Sequence, residues 1–270
     1  MGYHRASRLS QSVKQVAKVV SIIGLNKISI VKPGDDVAQL IFEKAKEEDI
    51  TLADGDLVVI SQKIVSKAKG LLVDTSESKP GQKAKALAKR TKKDPRVIEL
   101  ILQDSADVLR ADTQAFVVRR KDGLVCLNAG VDKSNVEGRF IYSRLPPNSD
   151  VAADEILSRL ERLSGKRLAV IIADTYSRPL RVGQVEFAIG VAGVEPIVDY
   201  RGLDDMFGYS LRYKYVALAD EAAAAAELVM GQGTERTPVA IIRGLDRMKR
   251  SSDRNLSRKL LLGRRLDLFR

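Results

Sequence analysis

Apolar residues along this 270-residue chain fall into short continuous runs and longer segments with helical spacing. Short apolar runs bounded by turn residues are typical of buried strands, whereas apolar residues three and four positions apart indicate amphipathic helices. The short runs predict strands at residues 28–31, 57–60, 116–118, 124–127, 168–172, 187–194 and 238–242. The spaced segments predict helices after Asp36 and at residues 79–91, 95–109, 151–163 and 222–230.

Polar side chains follow two of the predicted strands directly. Residues 125–135 read V-C-L-N-A-G-V-D-K-S-N, and the run at 168–172 leads into Asp174 and Thr175. The first stretch ends in four oxygen-bearing side chains, Asn128, Asp132, Ser134 and Asn135. If the two strands are neighbours in one sheet, Asp132 and Asp174 lie on one rim and suit a hard cation or a phosphate. The alternative is that both are turns in which Asp and Asn bond locally to the backbone.

The composition describes an ordinary globular chain, with 44% hydrophobic and 30% charged residues. No apolar run approaches the roughly 20 residues of a membrane helix, and the N-terminus lacks a signal-peptide pattern. A single cysteine, Cys126, excludes an intrachain disulfide. Together these features predict a cytoplasmic protein without a membrane partner.

The net charge of +11 is confined to the two ends of the chain. Residues 1–20 hold four basic and no acidic residues, residues 243–270 hold ten basic and three acidic residues, and the segment between them is neutral. Basic ends bind polyanions non-specifically, but they are equally typical of solvated tails or packed amphipathic helices. Nucleic acid is therefore not the partner that the sequence favours.

Only one histidine, His4, is present, and this excludes whole classes of site. It lies in an N-terminal segment that the sequence predicts to be loosely held, which argues against a Ser-His-Asp or Cys-His arrangement, and a His-rich zinc site needs more than one histidine. The Gly165-Lys166 pair is followed by Arg167, so it is not a Walker phosphate loop. Any enzyme chemistry must depend on carboxylates, lysines, arginines and oxygen-bound metals.

Lys63 and Lys67 are four residues apart, so they share one face if their segment is helical. Such a face could attract phosphate groups, or it could simply be a solvated surface.

Several motifs occur in a fixed order along the chain, and together they closely resemble the coenzyme F-420-0:gamma-glutamyl ligase family. They are P-G-D-D at 33–36, G-D at 55–56, Q-K-I-V-S-K at 62–67, N-A-G-V-D-K-S-N at 128–135, D-T at 174–175 with Arg178, Pro179 and Arg181, A-I-G at 188–190, D-E at 220–221 and M-G at 230–231. The resemblance covers roughly residues 21–246, the expected catalytic unit. Residues 1–20 are a basic N-terminal segment outside it.

The resemblance implies an α+β fold of mixed sheets with flanking helices, in two intimately joined subdomains, and a homodimer. It implies a GTP-dependent ligase that joins L-glutamate to coenzyme F-420-0 through an acyl phosphate, and that can add a second, gamma-linked glutamate. Two Mn²⁺ or Mg²⁺ sites and K⁺ are implied as well. Phosphorylation of a carboxylate supplies the leaving group that amide formation needs, and metal ions neutralise the phosphate charge.

The motifs also carry implied roles for individual residues. Asp132 and Asp174 would hold one metal, Thr175 and Gln232 the other, and Lys67 would join the two aspartates in catalysis. The implied nucleotide-binding residues are Ile28, Ser29, Ile30, Val31, Gln62, Lys63, Lys67, Asn135, Met230, Gly231, Gln232, Gly233, Thr234, Glu235, Arg236 and Thr237. Oxygen ligands of this kind suit Mg²⁺ or Mn²⁺ rather than zinc.

The sequence departs from the family pattern at four positions, Lys69, Tyr209, Lys214 and Ser177. These departures leave open the acceptor and the number of glutamates added. Two alternatives therefore remain: a related ligase acting on another carboxylate, and a non-catalytic nucleic-acid-binding protein on this scaffold.

Residues 247–270 form the last predicted element. Their leucine spacing predicts a basic amphipathic helix that docks on the body of the protein. The stripe consists of Leu256, Leu260 and Leu261, continued by Leu266 and Phe269.

Overall fold

The structure is a computed structural model that describes residues 18–177, 180–246 and 248–263. Its strands are β1 (Ser21–Gly24), β2 (Leu57–Ser61), β3 (Leu72–Asp74), β4 (Ser105–Ala111), β5 (Phe116–Arg120), β6 (Val125–Leu127), β7 (Ile141–Ser143), β8 (Ala169–Ser177), β9 (Gln184–Ala192), β10 (Val198–Asp199), β11 (Tyr215–Val216) and β12 (Val239–Arg243). Its helices are α1 (Val37–Glu47), α2 (Gln62–Ala68), α3 (Gln82–Thr91), α4 (Pro95–Asp104), α5 (Ser149–Ser164) and α6 (Leu218–Met230). Short 3₁₀ turns cover Asn128–Gly130 and Leu256–Leu260.

A five-stranded mixed sheet in the order β1-β12-β2-β8-β9 is the centre of the molecule. Neighbouring strands in it run antiparallel except β2 and β8, which are parallel. Parallel strands need a crossover connection, and the chain between β2 and β8 contains, besides α2 and α5, the helices α3 and α4 and the strands β3 to β7. This insertion brings the 128–135 loop back to the edge of the large sheet.

Helices cover both faces of the large sheet. Val58 and Ile60 of β2 face a core shared with α1 and α5, whereas Leu57 and Val59 face a core shared with α6. A strand buried on both faces reads as a continuous apolar run. This burial explains why the runs at 57–60 and 168–172 were predicted correctly as strands.

A smaller part of the protein has its own core. The antiparallel sheet β4-β5-β6 packs against α3 and α4 around buried Phe116 and Ile98, and the ribbon of β3 and β7 links it to α2 and the large sheet. Mixed sheets with flanking helices confirm the predicted α+β class. No helix among the described residues is long and apolar enough to cross a membrane.

Helix starts follow the capping chemistry in the sequence. Asp36 precedes α1 and its carboxylate accepts a hydrogen bond from the Gln39 backbone N–H at 3.0 Å. Asp94 caps α4 in the same way, with Pro95 in the first turn. These side chains satisfy backbone donors that have no partner inside the helix. Capping is therefore the observed role of Asp36, as the sequence predicted.

Two predicted elements are wrong. Residues 28–31 are not a strand: Ile28 and Val31 are buried while Ile30 is 73% exposed, and β1 precedes them at Ser21–Gly24. The helix predicted at 95–109 ends at Asp104. The chain then enters β4, because pairing with β5 outweighs the weak local preference of residues 105–109 for either state.

The C-terminal tail is not the predicted α-helix in the residues that the structure describes. Only Leu256–Leu260 form a 3₁₀ turn, introduced by Asn255 in the left-handed region. Leu256 is fully buried in the core beneath α6, and Leu260 packs against the same core. Ser257 is held by buried Asp150 through three hydrogen bonds. Leu266 and Phe269 lie outside the described residues.

Close packing of β9 against the start of α5 makes Gly190 sensitive to substitution. A Cβ at Gly190 would lie 2.4 Å from the Ser149 carbonyl oxygen, a backbone atom that cannot rotate away. We therefore expect Gly190→Ala to lower the free energy of unfolding by about 2–3 kcal/mol, as overpacking does. Urea denaturation gives this value. Gly263→Ala is the control, because nothing lies within 4 Å of its added Cβ, and equal stability of the two variants would contradict the contact.

Candidate active site

Parallel pairing of β2 with β8 creates the candidate site. Ser61, the last residue of β2, lies opposite Ala173. Helix α2 begins at the next residue, where the Ser61 hydroxyl accepts a long hydrogen bond from the Lys63 N–H at 3.4 Å. Because the chain turns from strand to helix without a loop, the first turn of α2 lies beside Asp174. The carboxyl ends of parallel strands commonly form ligand crevices in α/β sheets.

Asp132 reaches this edge by a different route from the one predicted. Its strand β6 belongs to the three-stranded sheet, so β6 and β8 are not neighbours, and the condition for one shared rim is not met. Three successive residues, Asn128, Ala129 and Gly130, have φ angles of 51°, 56° and 70°. This left-handed turn redirects the chain, and Asp132 then forms an isolated antiparallel bridge with Ser143 of β7.

Lys63 connects the two halves of the site. Its ammonium group donates a short hydrogen bond to the Asp132 carboxylate and another to the Ser143 hydroxyl at 3.1 Å. The hydroxyl of Ser134 donates to the same Asp132 oxygen as Lys63. The charge of Lys63 also acts on Asp174, which in turn interacts with Asp132. Asp132 thus bonds directly to Lys63, and Asp174 of β8 lies close enough for both to affect its pKa.

The pKa shifts follow from this crowding. Burial raises the pKa of Asp174 to about 6, against the opposing effect of Lys63. Burial also acts to raise the pKa of Asp132, but hydrogen bonds from Lys63 and Ser134 outweigh it and the net pKa is lowered. For Lys67, burial and the neighbouring charge of Lys63 lower the pKa. Perturbed groups gathered at a strand edge are typical of functional sites.

A second polar group lies further along β8, and it includes a residue that sequence reasoning missed. Glu186 of β9 lies opposite Thr175 in the register and is only 4% exposed. Its Oε1 accepts hydrogen bonds from the Thr175 hydroxyl and the Gln232 amide nitrogen, both at 2.8 Å. Burial raises the pKa of Glu186 to about 7. Its only sequence signal was an acid directly before the apolar run at 187–194.

The donor set fits hard divalent cations if other oxygens complete the coordination. Within the described ranges, no three His, Cys, Asp or Glu side chains converge so as to hold a metal by themselves. Asp132 and Asp174 form one carboxylate pair, and the Thr175 hydroxyl and Gln232 carbonyl oxygens lie 3.1 Å apart. Mg²⁺ is commonly held by one or two carboxylates plus water and substrate phosphates. The residues are therefore compatible with metal ions shared with a phosphate ligand.

Residues 28–31 and the loop at residues 230–237, the two segments implied to enclose a nucleotide, lie in contact with each other. Ile28 and Arg236 exchange hydrogen bonds, from the Ile28 N–H to the Arg236 carbonyl and from the Arg236 side chain to the Ile28 carbonyl. The loop after α6 begins at Gly231 with a φ of 68° and carries Gln232 into contact with Thr175. Met230 and Thr237 are buried at its two ends, and the residues between them are exposed: Gly231, Gln232, Gly233, Thr234, Glu235 and Arg236.

The remaining implied residues differ in their surroundings. Gln62 is buried, accepts a hydrogen bond from the Ser66 hydroxyl at 2.9 Å and bonds to Asp174, which it therefore helps to hold. Asn135 is exposed with a φ of 53°, and Lys67 is half-buried. Ser29 and Ile30 are exposed beside the loop that contains Arg236.

The four positions that depart from the family pattern lie apart from the carboxylates. Lys69 forms an ion pair with Glu155 on α5. Tyr209 and Lys214 are exposed on the segment that connects β10 to β11. Ser177 is exposed at the end of β8.

Comparisons with known proteins identify the family of this chain. The profile of the F420-0:gamma-glutamyl ligase family matches residues 26–244. The coenzyme F420:L-glutamate ligase of Methanothermobacter thermautotrophicus is 44% identical over 251 residues, covering 93% of this chain and 99% of that protein. The proteins of the same name from Methanopyrus kandleri and Methanocaldococcus jannaschii are 42% and 40% identical, over 89% and 86% of this chain and 93% and 90% of their own lengths.

The matching proteins are named as ligases and identify this chain as a ligase enzyme. The chain belongs to the F420-0:gamma-glutamyl ligase family.

The raised pKa values predict that the metal-free protein becomes less stable as pH rises. A carboxyl whose pKa is higher in the folded than in the unfolded state stabilises the fold when it is protonated. This stabilisation is lost as the pH rises through the pKa of the folded state. For Asp174 and Glu186 these values are about 6 and about 7. Between pH 5 and pH 8 we expect a loss on the order of 4 kcal/mol, measured by urea unfolding in EDTA.

The control for this pH dependence is the double variant Asp174→Asn, Glu186→Gln, which should show a much flatter profile. Asp132 has a lowered pKa, so its contribution is lost only at more acidic pH, below this window. A wild-type profile as flat as that of the double variant would show that the two carboxyls titrate normally.

Proposed function

We propose that this protein is a GTP-dependent ligase that joins L-glutamate through an amide bond to coenzyme F-420-0, in the biosynthesis of coenzyme F-420. The observation that carries the proposal is that Asp132, bonded to Lys63, and Asp174, bonded to Gln62, meet at the start of α2, where β2 ends. The relatives named as coenzyme F420:L-glutamate ligases support the substrates.

The reaction proceeds in two steps. A carboxylate oxygen of the acceptor attacks the γ-phosphorus of GTP, which forms an acyl phosphate and releases GDP. The amine of L-glutamate then attacks the acyl carbon, and inorganic phosphate leaves. A second glutamate is added by the same steps on the carboxylate of the first product.

Lysines at the start of α2 bind the triphosphate in this proposal. Lys63 is the only cation bonded to Asp132 among the described residues, and it can exchange that partner for a phosphate oxygen. Lys67 lies one helical turn further along α2 and is half-buried, so its charge is poorly screened. The 28–31 segment and the 230–237 loop, joined through Ile28 and Arg236, enclose the nucleotide, with Asn135 at its margin.

Two divalent cations, Mn²⁺ or Mg²⁺, complete the site. Asp132 and Asp174 would hold one and Thr175 and Gln232 the other, with phosphate oxygens as further ligands. Bound cations would neutralise the phosphate charge that develops during transfer. Gln62 holds Asp174 in place through its amide. K⁺, a homodimeric assembly and a cytoplasmic location belong to the same proposal.

Loss of either carboxylate should abolish metal-dependent turnover. We expect Asp132→Asn and Asp174→Asn each to lower kcat/KM by about a thousandfold or more, because a charged ligand is removed from the phosphate site. Asp220→Asn is the matched control, since Asp220 is a half-buried carboxylate that bonds to the Ala188 N–H at 3.0 Å, outside the site. Near-normal activity of either site variant at saturating Mn²⁺ would show that the chemistry occurs elsewhere.

The acceptor is tested separately by mass spectrometry. Purified protein is incubated with GTP, Mn²⁺, L-glutamate and a panel of carboxylate acceptors that includes coenzyme F-420-0. We expect coenzyme F-420-0 to gain one glutamyl mass, or two, with stoichiometric formation of GDP. Transfer to a different carboxylate alone would identify a related ligase, and GTP binding without any glutamyl transfer would contradict the proposal.

A further inference from the structure

Glu186 is a buried carboxylate that the proposed reaction does not yet use. It is 4% exposed and lies on β9 opposite Thr175 of β8. Among the described residues it forms no ion pair. An ionisable group buried without an opposite charge costs free energy, so its place beside two oxygen ligands calls for a physical explanation.

The hydrogen bonds of Glu186 fix the orientation of the Gln232 carboxamide. A carboxylate oxygen accepts hydrogen bonds, so the side of Gln232 that faces Glu186 must be its NH₂ group. The Gln232 Nε2 lies 2.8 Å from Glu186 Oε1. The carbonyl oxygen of the same amide then points away from Glu186, toward the Thr175 hydroxyl at 3.1 Å.

Glu186 also decides where the single hydroxyl proton of Thr175 lies. The Thr175 oxygen is 2.8 Å from Glu186 Oε1 and 3.1 Å from Gln232 Oε1, and one proton serves only one of them. When Glu186 is ionised it is the charged acceptor, which forms the stronger and shorter bond, so the proton is directed to Glu186. The Thr175 and Gln232 oxygens then face each other without a proton between them.

Two facing oxygen atoms of this kind form a pair of cation ligands. Neighbouring ligands of an octahedral Mg²⁺, each about 2.1 Å from the ion, are about 3 Å apart. The distance between the Thr175 and Gln232 oxygens is 3.1 Å. The spacing therefore matches one edge of an octahedron before any ion is bound.

We propose that Glu186 is a positioning residue of the second metal site: it holds the Thr175 hydroxyl and the Gln232 amide so that both oxygens face one divalent cation. The inference rests on the proposed function, because that function supplies the cation. Removing a residue that hydrogen-bonds to metal ligands, without binding the metal itself, typically lowers metal affinity 10–100-fold.

The proposal makes a specific distinction between two substitutions. Glu186→Leu removes both hydrogen-bond acceptors at nearly constant volume and frees the Gln232 amide to rotate. Glu186→Gln removes the charge but keeps a carbonyl oxygen that accepts from both partners. Positioning therefore survives in the Gln variant and is lost in the Leu variant, whereas a role as a charged metal ligand would be lost in both.

The experiment counts bound Mn²⁺ by electron paramagnetic resonance, with a non-hydrolysable GTP analogue present. For the wild type we expect two Mn²⁺ per chain. Glu186→Leu should keep one ion at wild-type affinity and bind the other about 10–100-fold more weakly, whereas Glu186→Gln should bind both within a few-fold of wild type. Asp220→Asn, which alters a carboxylate bonded to β9 away from Thr175, should bind both normally.

The other possible results would each contradict either the positioning role of Glu186 or the two-metal site. Normal binding of two ions by Glu186→Leu removes the positioning role alone, and equal loss in the Leu and Gln variants replaces it with direct ligation or charge. A wild type that binds fewer than two Mn²⁺ contradicts the two-metal site of the proposed function, and the positioning role with it. Glu186→Met is measured alongside, with thermal unfolding of all variants, so that the result does not depend on the folding of one protein.

Discussion

The parallel pairing of β2 with β8 is the interaction on which the site depends. It places Ser61, the end of β2, opposite Ala173, so that Gln62 and Lys63 begin α2 beside Asp174 while β8 continues to Ser177. Because side chains alternate between the two faces of a strand, a shift of this register by one residue would turn Asp174 to the opposite face. The same pairing needs a long crossover, and the crossover contains the loop that delivers Asp132.

Charge balance is the second constraint. Asp132, Asp174 and Glu186 lie close enough to influence one another, with Lys63 as the cation bonded to Asp132. Without further cations, burial keeps two of these carboxyls at raised pKa values. The site is therefore strained electrostatically in isolation and is completed by divalent cations in the function that we propose. Stored strain of this kind is typical of binding and catalytic sites.

The predicted elements that proved wrong share one cause. Tertiary packing outweighed the backbone conformation that the local pattern of apolar residues indicated. Residues 28–31 look like a strand because they are apolar, but β12 pairs with β1 and β2, and the Ile28 N–H instead donates to the Arg236 carbonyl. The tail has the leucines of a helix, yet Leu256 fits the core under α6 as part of a 3₁₀ turn fixed by Asp150. In both places part of the predicted apolar face is buried, Ile28 and Val31 in one and Leu256 in the other, but the predicted backbone geometry was wrong.

The sequence by itself determined the family, the α+β class, the strands buried on both faces and the capped helix starts, because these depend on local residue chemistry and on ordered motifs. Tertiary structure alone decided that Asp132 approaches from a separate sheet through the left-handed turn at Asn128. It alone revealed Glu186, whose meaning depends on its register opposite Thr175 and on a loop 46 residues away. Contacts between distant segments arise from strand pairing and core packing. The hydrophobic periodicity within one segment does not predict them.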